Sequence, residues 1–325
     1  MTKSNSTVPD KWDATHIQSL RNKIAIVTGG NNGIGYVTVL ELARKGANVV
    51  LACRSEARAN EAINKIRAEL SGVPGAGTLK FIQVDTSDLS SVNRFVADFK
   101  NTHDRLDLLI NNAGVMDIPY EETVDGLEMQ MAVNHLGHFA LTAQLFDVLK
   151  ASAPSRVVSV SSIAHRGAPK FDEKTFFLSK DKYDSMAAYG NSKIANLYFI
   201  FELARRLEAG GVTGVTAVAC HPGVTVTNLI PTTMEKSGCM KRTYLKVMRS
   251  LPLFSPASMG ALPTLYAATA PNVKNAEYYG PSGFQNLRGY PSLNTPSKES
   301  LSESAAQKVW EKSELLTGTP FPVRK

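Results

Sequence analysis

The chain has 325 residues, 43% of them hydrophobic and 20% charged, which excludes disordered, fibrous and disulfide-framework proteins; at this length folding would bury roughly 75% of the extended surface without staples or metals. Lys and Arg outnumber Asp and Glu by 36 to 29, a net charge of +7, but they are spread along the chain instead of forming a stripe with interleaved aromatics, which favours small anionic molecules over nucleic acid as partners. Cys53, Cys220 and Cys239 lie far apart, and neither a secretory signal nor a run of about 18 apolar residues occurs, so a soluble, cytoplasmic protein without a membrane span is expected.

Residues 1–21 form a polar leader whose Trp12 would pack on the body. From Lys23 onward, short β-rich apolar runs alternate with longer helical patterns. Strands are predicted at 24–27, 48–52, 79–84, 106–110, 156–160 and 215–219, with a seventh at 283–285. Helices are predicted at 34–45, 56–70, 89–100, 125–150, 188–208 and 258–269. This alternation predicts right-handed βαβ units and one Rossmann-type, doubly wound parallel α/β sheet of about seven strands over residues 22–290, with helices on both faces. Residues 71–78 read as a surface turn. Residues 164–186 read as a polar, Lys-rich insertion, and 224–256 as a loop mixing basic and apolar side chains. Both insertions follow strand C-terminal ends, where open α/β sheets place their ligands. The tail, 291–325, holds a loop and an amphipathic helix near 300–316 that would pack on the same domain.

Directly after the first strand comes Thr28-Gly29-Gly30-Asn31-Asn32-Gly33-Ile34-Gly35. A strand-to-helix turn of this kind lets backbone N–H groups approach a pyrophosphate, and the following helix dipole stabilises its charge. The register, Gly29-x-x-x-Gly33-x-Gly35, departs from G-x-G-x-x-G but meets the same physical requirement. Dinucleotide binding is therefore expected. At the end of the second strand, Ala52-Cys53-Arg54 supplies no carboxylate for ribose hydroxyls. An arginine can pair with a 2′-phosphate, so NADP(H) is expected in preference to NAD(H); the alternative is that Arg54 is a solvated charge opening the next helix. Asp85, with Thr86 beside it, ends the third strand, placed either to meet an adenine or to serve the following helix. Asn111-Asn112-Ala113-Gly114 ends the fourth, where small residues and amides permit approach to a ribose.

Tyr189 and Lys193 stand four residues apart in a helical pattern and share a face. An ammonium about 4 Å from a phenol, at an effective dielectric near 20, favours the phenolate by roughly 4 kcal/mol, which would bring the tyrosine toward about 7 before desolvation opposes it. Ser161 and Ser162 finish the fifth strand and Asn134 lies in the helix after the fourth, so all would converge at one sheet edge. Ordinary strand-end polarity and a locally satisfied helix defect are the plainer explanations of these residues.

Taken together, Thr28-Gly29-x-x-x-Gly33-Ile34-Gly35, Asn111-Asn112-Ala113-Gly114, Asn134, Ser162, Tyr189-x-x-x-Lys193 and Pro222-Gly223 resemble the motif set of the short-chain dehydrogenase/reductase family over roughly residues 22–290. Ala52-Cys53-Arg54, Asn134-His135-Leu136-Gly137-His138-Phe139, His221-Pro222-Gly223-Val224 and Tyr279-Gly280-Pro281 are similar to its retinol dehydrogenase and WW-domain oxidoreductase branch. The resemblance implies a tetrad. Tyr189 would exchange a proton with a carbonyl or alcohol oxygen, and Lys193 would lower the tyrosine pKa and bind the nicotinamide ribose. Ser162, the second serine of its pair, would orient the carbonyl, Asn134 would hold a relay water, and Thr227 would reach the nicotinamide end.

Two departures stand out. Ser162 and Tyr189 are 27 positions apart, so residues 164–186 must loop out, and residues 1–21 do not resemble the membrane anchor of many retinol dehydrogenases. A soluble carbonyl substrate is thus expected as readily as a membrane-delivered retinoid. His135 and His138 read as packing residues, with no metal required. Residues 240–254 could serve as a substrate lid, a membrane-surface helix or a dimer contact, and their apolar side chains suggest a lipophilic substrate. The 188–208 helix is apolar on more than one face, which suggests a homodimer. The sequence therefore reads first as an NADP(H)-dependent oxidoreductase interconverting carbonyl and alcohol. A catalytically silent NADP(H)-binding regulator is the alternative, and a sugar-nucleotide epimerase or dehydratase would call for a larger C-terminal substrate domain.

Overall fold

The computed structural model describes residues 8–225 and 255–323. In chain order the main elements are β1 (Ile24–Thr28), α1 (Gly33–Arg44), β2 (Asn48–Cys53), α2 (Glu56–Glu69), β3 (Leu79–Gln83), α3 (Leu89–Thr102) and β4 (Leu108–Asn111). They continue with α4 (Met129–Met131), a single π-helical turn (Ala132–Leu136), α5 (Gly137–Ala151), β5 (Ser155–Val160), α6 (Glu173–Phe176), α7 (Ser185–Ala209) and β6 (Val215–Cys220). Last come α8 (Ala257–Thr269), β7 (Tyr278–Pro281), β8 (Pro291–Leu293) and α9 (Glu303–Thr317).

The strands form one eight-stranded sheet in the order β3-β2-β1-β4-β5-β6-β7-β8. Neighbours pair in parallel from β3 to β7, and β8 closes the edge antiparallel to β7. Chain order reverses between β1 and β4, the position where open α/β sheets leave a crevice at the strand C-termini. The inner strands are continuous apolar runs because both faces are covered. One face carries α1, α2 and α8, with Val39, Leu42, Ile66 and Leu265 buried on it. The other carries α3, α5 and α7, with Phe95, Phe99, Leu145 and Leu203.

Three expectations need revision or find their explanation here. The seventh strand is Tyr278–Pro281, not 283–285, and an eighth strand follows. Tyr278 and Tyr279 carry the β propensity and are buried, whereas Gln285 and Asn286 adopt left-handed φ values of 50° and 61° that turn the chain. The second apolar face of α7 is covered within the chain. Ile194, Ala195 and Tyr198 pack on Ala305, Ala306 and Val309 of α9, Trp310 stacks on Phe199 with ring centroids 5.8 Å apart, and the Arg206 guanidinium lies 4.4 Å above Trp310. That removes the ground for expecting a homodimer through this helix. Trp12 docks on the body as expected, edge-on to Tyr266 at 5.0 Å.

The insertion between Ser162 and Tyr189 loops out through short helical turns and is pinned at its end. Tyr183 donates to the Ile118 carbonyl at 3.0 Å and accepts from the Gln130 amide at 2.7 Å. Tyr189 thereby keeps its place on α7.

Candidate active site

The β1–α1 turn is shaped by glycine. Gly29 and Gly33 hold φ values of +66° and +54°, a region costly for residues with a Cβ. A Cβ on Gly35 would overlap the Gly29 carbonyl oxygen and lie 2.7 Å from the Asn112 side-chain nitrogen. Asn32 precedes α1 without a side-chain bond to its first-turn amides, so those N–H groups and the helix dipole remain disposed toward an anion. Thr28 then ties this turn to the end of β4. Its hydroxyl accepts from the Asn112 and Ala113 amides at 2.8 and 2.9 Å, and the Asn112 side chain donates to the Thr28 carbonyl at 2.8 Å.

At the end of β2, Arg54 is exposed, its Nη1 lying 3.7 Å from Asp85 Oδ2. The other Asp85 oxygen accepts from the Ser87 amide and hydroxyl at 3.0 and 2.6 Å. Arg54 and Asp85 thus form a loose ion pair in solvent, worth little by itself. The Thr86 carbonyl packs so closely against Gly137 that a Cβ there would overlap it, which brings the end of β3 against the start of α5.

The remaining polar residues converge beyond β4 and β5. The Ser162 hydroxyl lies close enough to the Tyr189 phenol to lower its pKa. Ser161 points away, donating to the Lys193 carbonyl at 2.7 Å from a buried position, which leaves Ser162 as the serine that faces the phenol. Lys193 Nζ donates to the Val160 carbonyl at 3.2 Å and sits 5.7 Å from the centroid of the Tyr189 ring. Gly114 lies between Asn134 and this ammonium: a Cβ there would stand 3.0 Å from Asn134 Oδ1 and 3.3 Å from Lys193 Nζ.

Asn134 sits in the single π-helical turn after β4, a feature found frequently at functional sites. Its side chain is fully engaged. Oδ1 accepts from the Val115 amide at 2.8 Å, while Nδ2 donates to the Val115 carbonyl at 2.9 Å and to Ser192 Oγ at 2.8 Å. The Asn134 carbonyl takes Nδ1–H of His138 at 3.1 Å, and His138 Nε2 faces Thr28 Oγ1 at 2.8 Å. Burial pushes the His138 pKa down to about 4, so the ring is neutral and links the Asn134 turn to the glycine turn. His135 is likewise buried, its pKa pushed down to about 3, with Nε2 at 2.8 Å from Ser313 Oγ. Both act in packing and hydrogen bonding.

The expected poising of the phenol near neutrality is not met. Burial raises the Tyr189 pKa, opposed only by the neighbouring Ser162 hydroxyl, and burial lowers that of Lys193 to about 8. The ammonium lies 5.7 Å from the ring centroid, and burial leaves it easier to deprotonate than the phenol. Desolvation therefore dominates.

Gly223 turns the chain after β6 at φ +70°, where a Cβ would overlap the Leu287 carbonyl, and Pro222 accepts from Thr225 Oγ1 at 3.0 Å. Thr227 and the 240–254 segment lie outside the described residues. Sequence reasoning did not single out Ser192 or His165. Ser192 lies one residue before Lys193, with its hydroxyl bonded to Asn134 and to the Tyr189 carbonyl; only the fold brings these together. No helix among the described residues is long and apolar enough to cross a membrane.

The pattern that describes the short chain dehydrogenase family matches residues 23–237. Human retinol dehydrogenase 14 is 38% identical over 316 residues, covering 92% of this chain and 87% of its own. Human retinol dehydrogenase 13 is 39% identical over 307 residues, covering 94% and 87%. A crystal structure of an uncharacterized protein from Mycobacterium paratuberculosis superposes with a TM-score of 0.76 at 36% identity, covering 96% of this chain and 99% of that one. The glycine cradle, whose space a single Cβ would fill, and the uncapped start of α1 fit the nicotinamide dinucleotide that this family binds. By sequence and by fold, the chain belongs to the short-chain dehydrogenase family and to its retinol dehydrogenase branch, as an oxidoreductase of carbonyls and alcohols.

Proposed function

We propose that this protein interconverts a lipophilic aldehyde or ketone and the corresponding alcohol, with NADP(H) preferred over NAD(H). The observation that carries the reading is the Ser162 hydroxyl set against the Tyr189 phenol, with the Lys193 ammonium 5.7 Å from the centroid of that ring, at the sheet edge that holds the glycine turn. When bound, the nicotinamide supplies or takes up the hydride at the substrate carbon. In reduction, Tyr189 donates its hydroxyl proton to the carbonyl oxygen as the C–H bond forms, and its raised pKa keeps that proton in place at neutral pH. Ser162 holds the same oxygen by a hydrogen bond. Lys193 holds the ribose and supports the phenolate left behind, and Asn134 fixes Val115 and Ser192 around them. Thr28, Gly29, Asn31, Asn32, Gly33, Ile34 and Gly35 receive the pyrophosphate. Asp85, Thr86, Asn112, Ala113 and Gly114 line the adenosine side, and Pro222 and Gly223 the nicotinamide side.

The cofactor preference rests on Arg54. A 2′-phosphate is a better partner for its guanidinium than the single Asp85 oxygen at 3.7 Å. A charge-assisted hydrogen bond of about 1.5–3 kcal/mol predicts that Arg54→Ala raises KM for NADPH by roughly 10- to 100-fold and leaves KM for NADH nearly unchanged. The names of the relatives direct the substrate panel toward retinal and other lipophilic aldehydes, alongside ketones and quinones. Faster NADH than NADPH oxidation by the unaltered enzyme would overturn the preference, and NADPH binding without turnover of any carbonyl would favour a silent regulator.

A further inference from the structure

His165 lies in the 3-10 turn Ile163–Gly167, immediately after Ser162, and is buried. Its Nδ1 is 2.6 Å from the Ser162 carbonyl oxygen, and its Nε2 is 3.1 Å from the Ser297 backbone nitrogen. A carbonyl can only accept and a backbone N–H can only donate, so the ring is neutral with its proton on Nδ1. Both nitrogens are thereby committed to backbone partners that stand 135 residues apart in the chain.

The imidazole is held in this attitude by the far edge of the sheet. It meets the ring of Tyr278 edge-on, with centroids 5.6 Å apart, and His221 stacks on that same ring at 5.2 Å. His221 Nε2 is in turn 3.0 Å from Asn294 Oδ1. The next residue, Arg166, donates to the Gln285 carbonyl at 3.2 Å and to Asn286 Oδ1 at 2.8 Å. The turn that carries Ser162 is therefore laced to residues 278–297, beyond the span of the family pattern.

We propose that His165 is a positioning residue for the reaction assigned above: by tying the Ser162 carbonyl to the Ser297 amide, it lets the C-terminal segment set the direction of the Ser162 hydroxyl beside Tyr189. The proposal rests on that assignment. Ser162 Oγ accepts from the Ala164 amide at 3.2 Å within the same turn, so a rotation of the turn backbone carries the hydroxyl with it. A displacement of about 1 Å at a group that orients the carbonyl is enough to cost up to about a hundredfold in rate.

The test compares His165→Ala, which removes both hydrogen bonds, with His165→Gln, whose side-chain amide offers one donor for the Ser162 carbonyl and one acceptor for the Ser297 amide. The readouts are kcat and carbonyl KM in NADPH oxidation, NADPH affinity by fluorescence titration, and the separation of the Ser162 and Tyr189 hydroxyls in a crystal structure of His165→Ala. The expected result for His165→Ala is a fall of about tenfold or more in kcat with NADPH affinity unchanged and the two hydroxyls separated, and His165→Gln recovers most of the rate. A kcat within twofold of the unaltered enzyme, equal losses in both variants, or an unmoved hydroxyl pair would overturn the proposal. Tyr189→Phe is measured in parallel. Turnover surviving in Tyr189→Phe would sink the assigned reaction itself, whereas its loss alongside an unimpaired His165→Ala would sink only the positioning role. Were no carbonyl turned over, the hydroxyl separation would still decide the positioning role.

Discussion

Replacing Lys193 by methionine separates what this residue does for the reaction from what it does to the fold. Burial holds the Lys193 pKa down from 10.5 to about 8. At about 1.4 kcal/mol per unit, keeping the ammonium in place at pH 7 costs the native state roughly 3 kcal/mol. The sign follows from proton counts. The unfolded chain holds this proton up to about pH 10.5 and the native protein only up to about 8, so across that window the unfolded state binds more protons and wild-type stability gains with rising pH. Lys193→Met removes the cost together with the hydrogen bond to the Val160 carbonyl at 3.2 Å, worth about 1 kcal/mol. The cofactor-free variant should therefore be more stable than wild type by about 2 kcal/mol at pH 7, and the advantage should shrink to near zero by about pH 9.5. Urea unfolding of both proteins at the two pH values measures it, and turnover should be lost in the variant. A variant less stable than wild type at pH 7, or an advantage that does not change with pH, would rule out this account of the buried ammonium.

Other perturbations address the cradle and the tail. Gly35→Ala forces a methyl group onto the Gly29 carbonyl oxygen; overpacking of this kind costs about 1–3 kcal/mol, and NADPH binding should disappear in fluorescence titration while circular dichroism retains the α/β signature. Trp310→Ala empties the contact of α9 with Phe139 and Phe199 and should cost about 3–5 kcal/mol, seen as a lower Tm.

What could be read from the sequence was local. The glycine turn after β1, the four-residue spacing of Tyr189 and Lys193, and the alternation of strands with helices depend on neighbours within a turn or two, and each stands where the pattern put it. The edge of the sheet was misplaced because the pairing that selects Tyr278–Pro281, with β6 and β8, forms only in the fold. The second apolar face of α7 suggested a partner chain, but its cover is α9, a hundred residues downstream. The roles of Ser192 and His165 were hidden for the same reason, since their partners are brought to them only by the fold. The acidity of Tyr189 was misjudged in sign because charge spacing can be read from a helical repeat and burial cannot.

Everything in this reading of the site turns on Tyr189 as the proton donor of a hydride-transfer reaction. Single-turnover oxidation of bound NADPH by a carbonyl that the wild type reduces, followed by absorbance in Tyr189→Phe, tests it most directly. The expected outcome is unchanged NADPH affinity with the rate reduced by at least about a hundredfold, within the range of general acid catalysis. A Tyr189→Phe rate within a few-fold of wild type would contradict it.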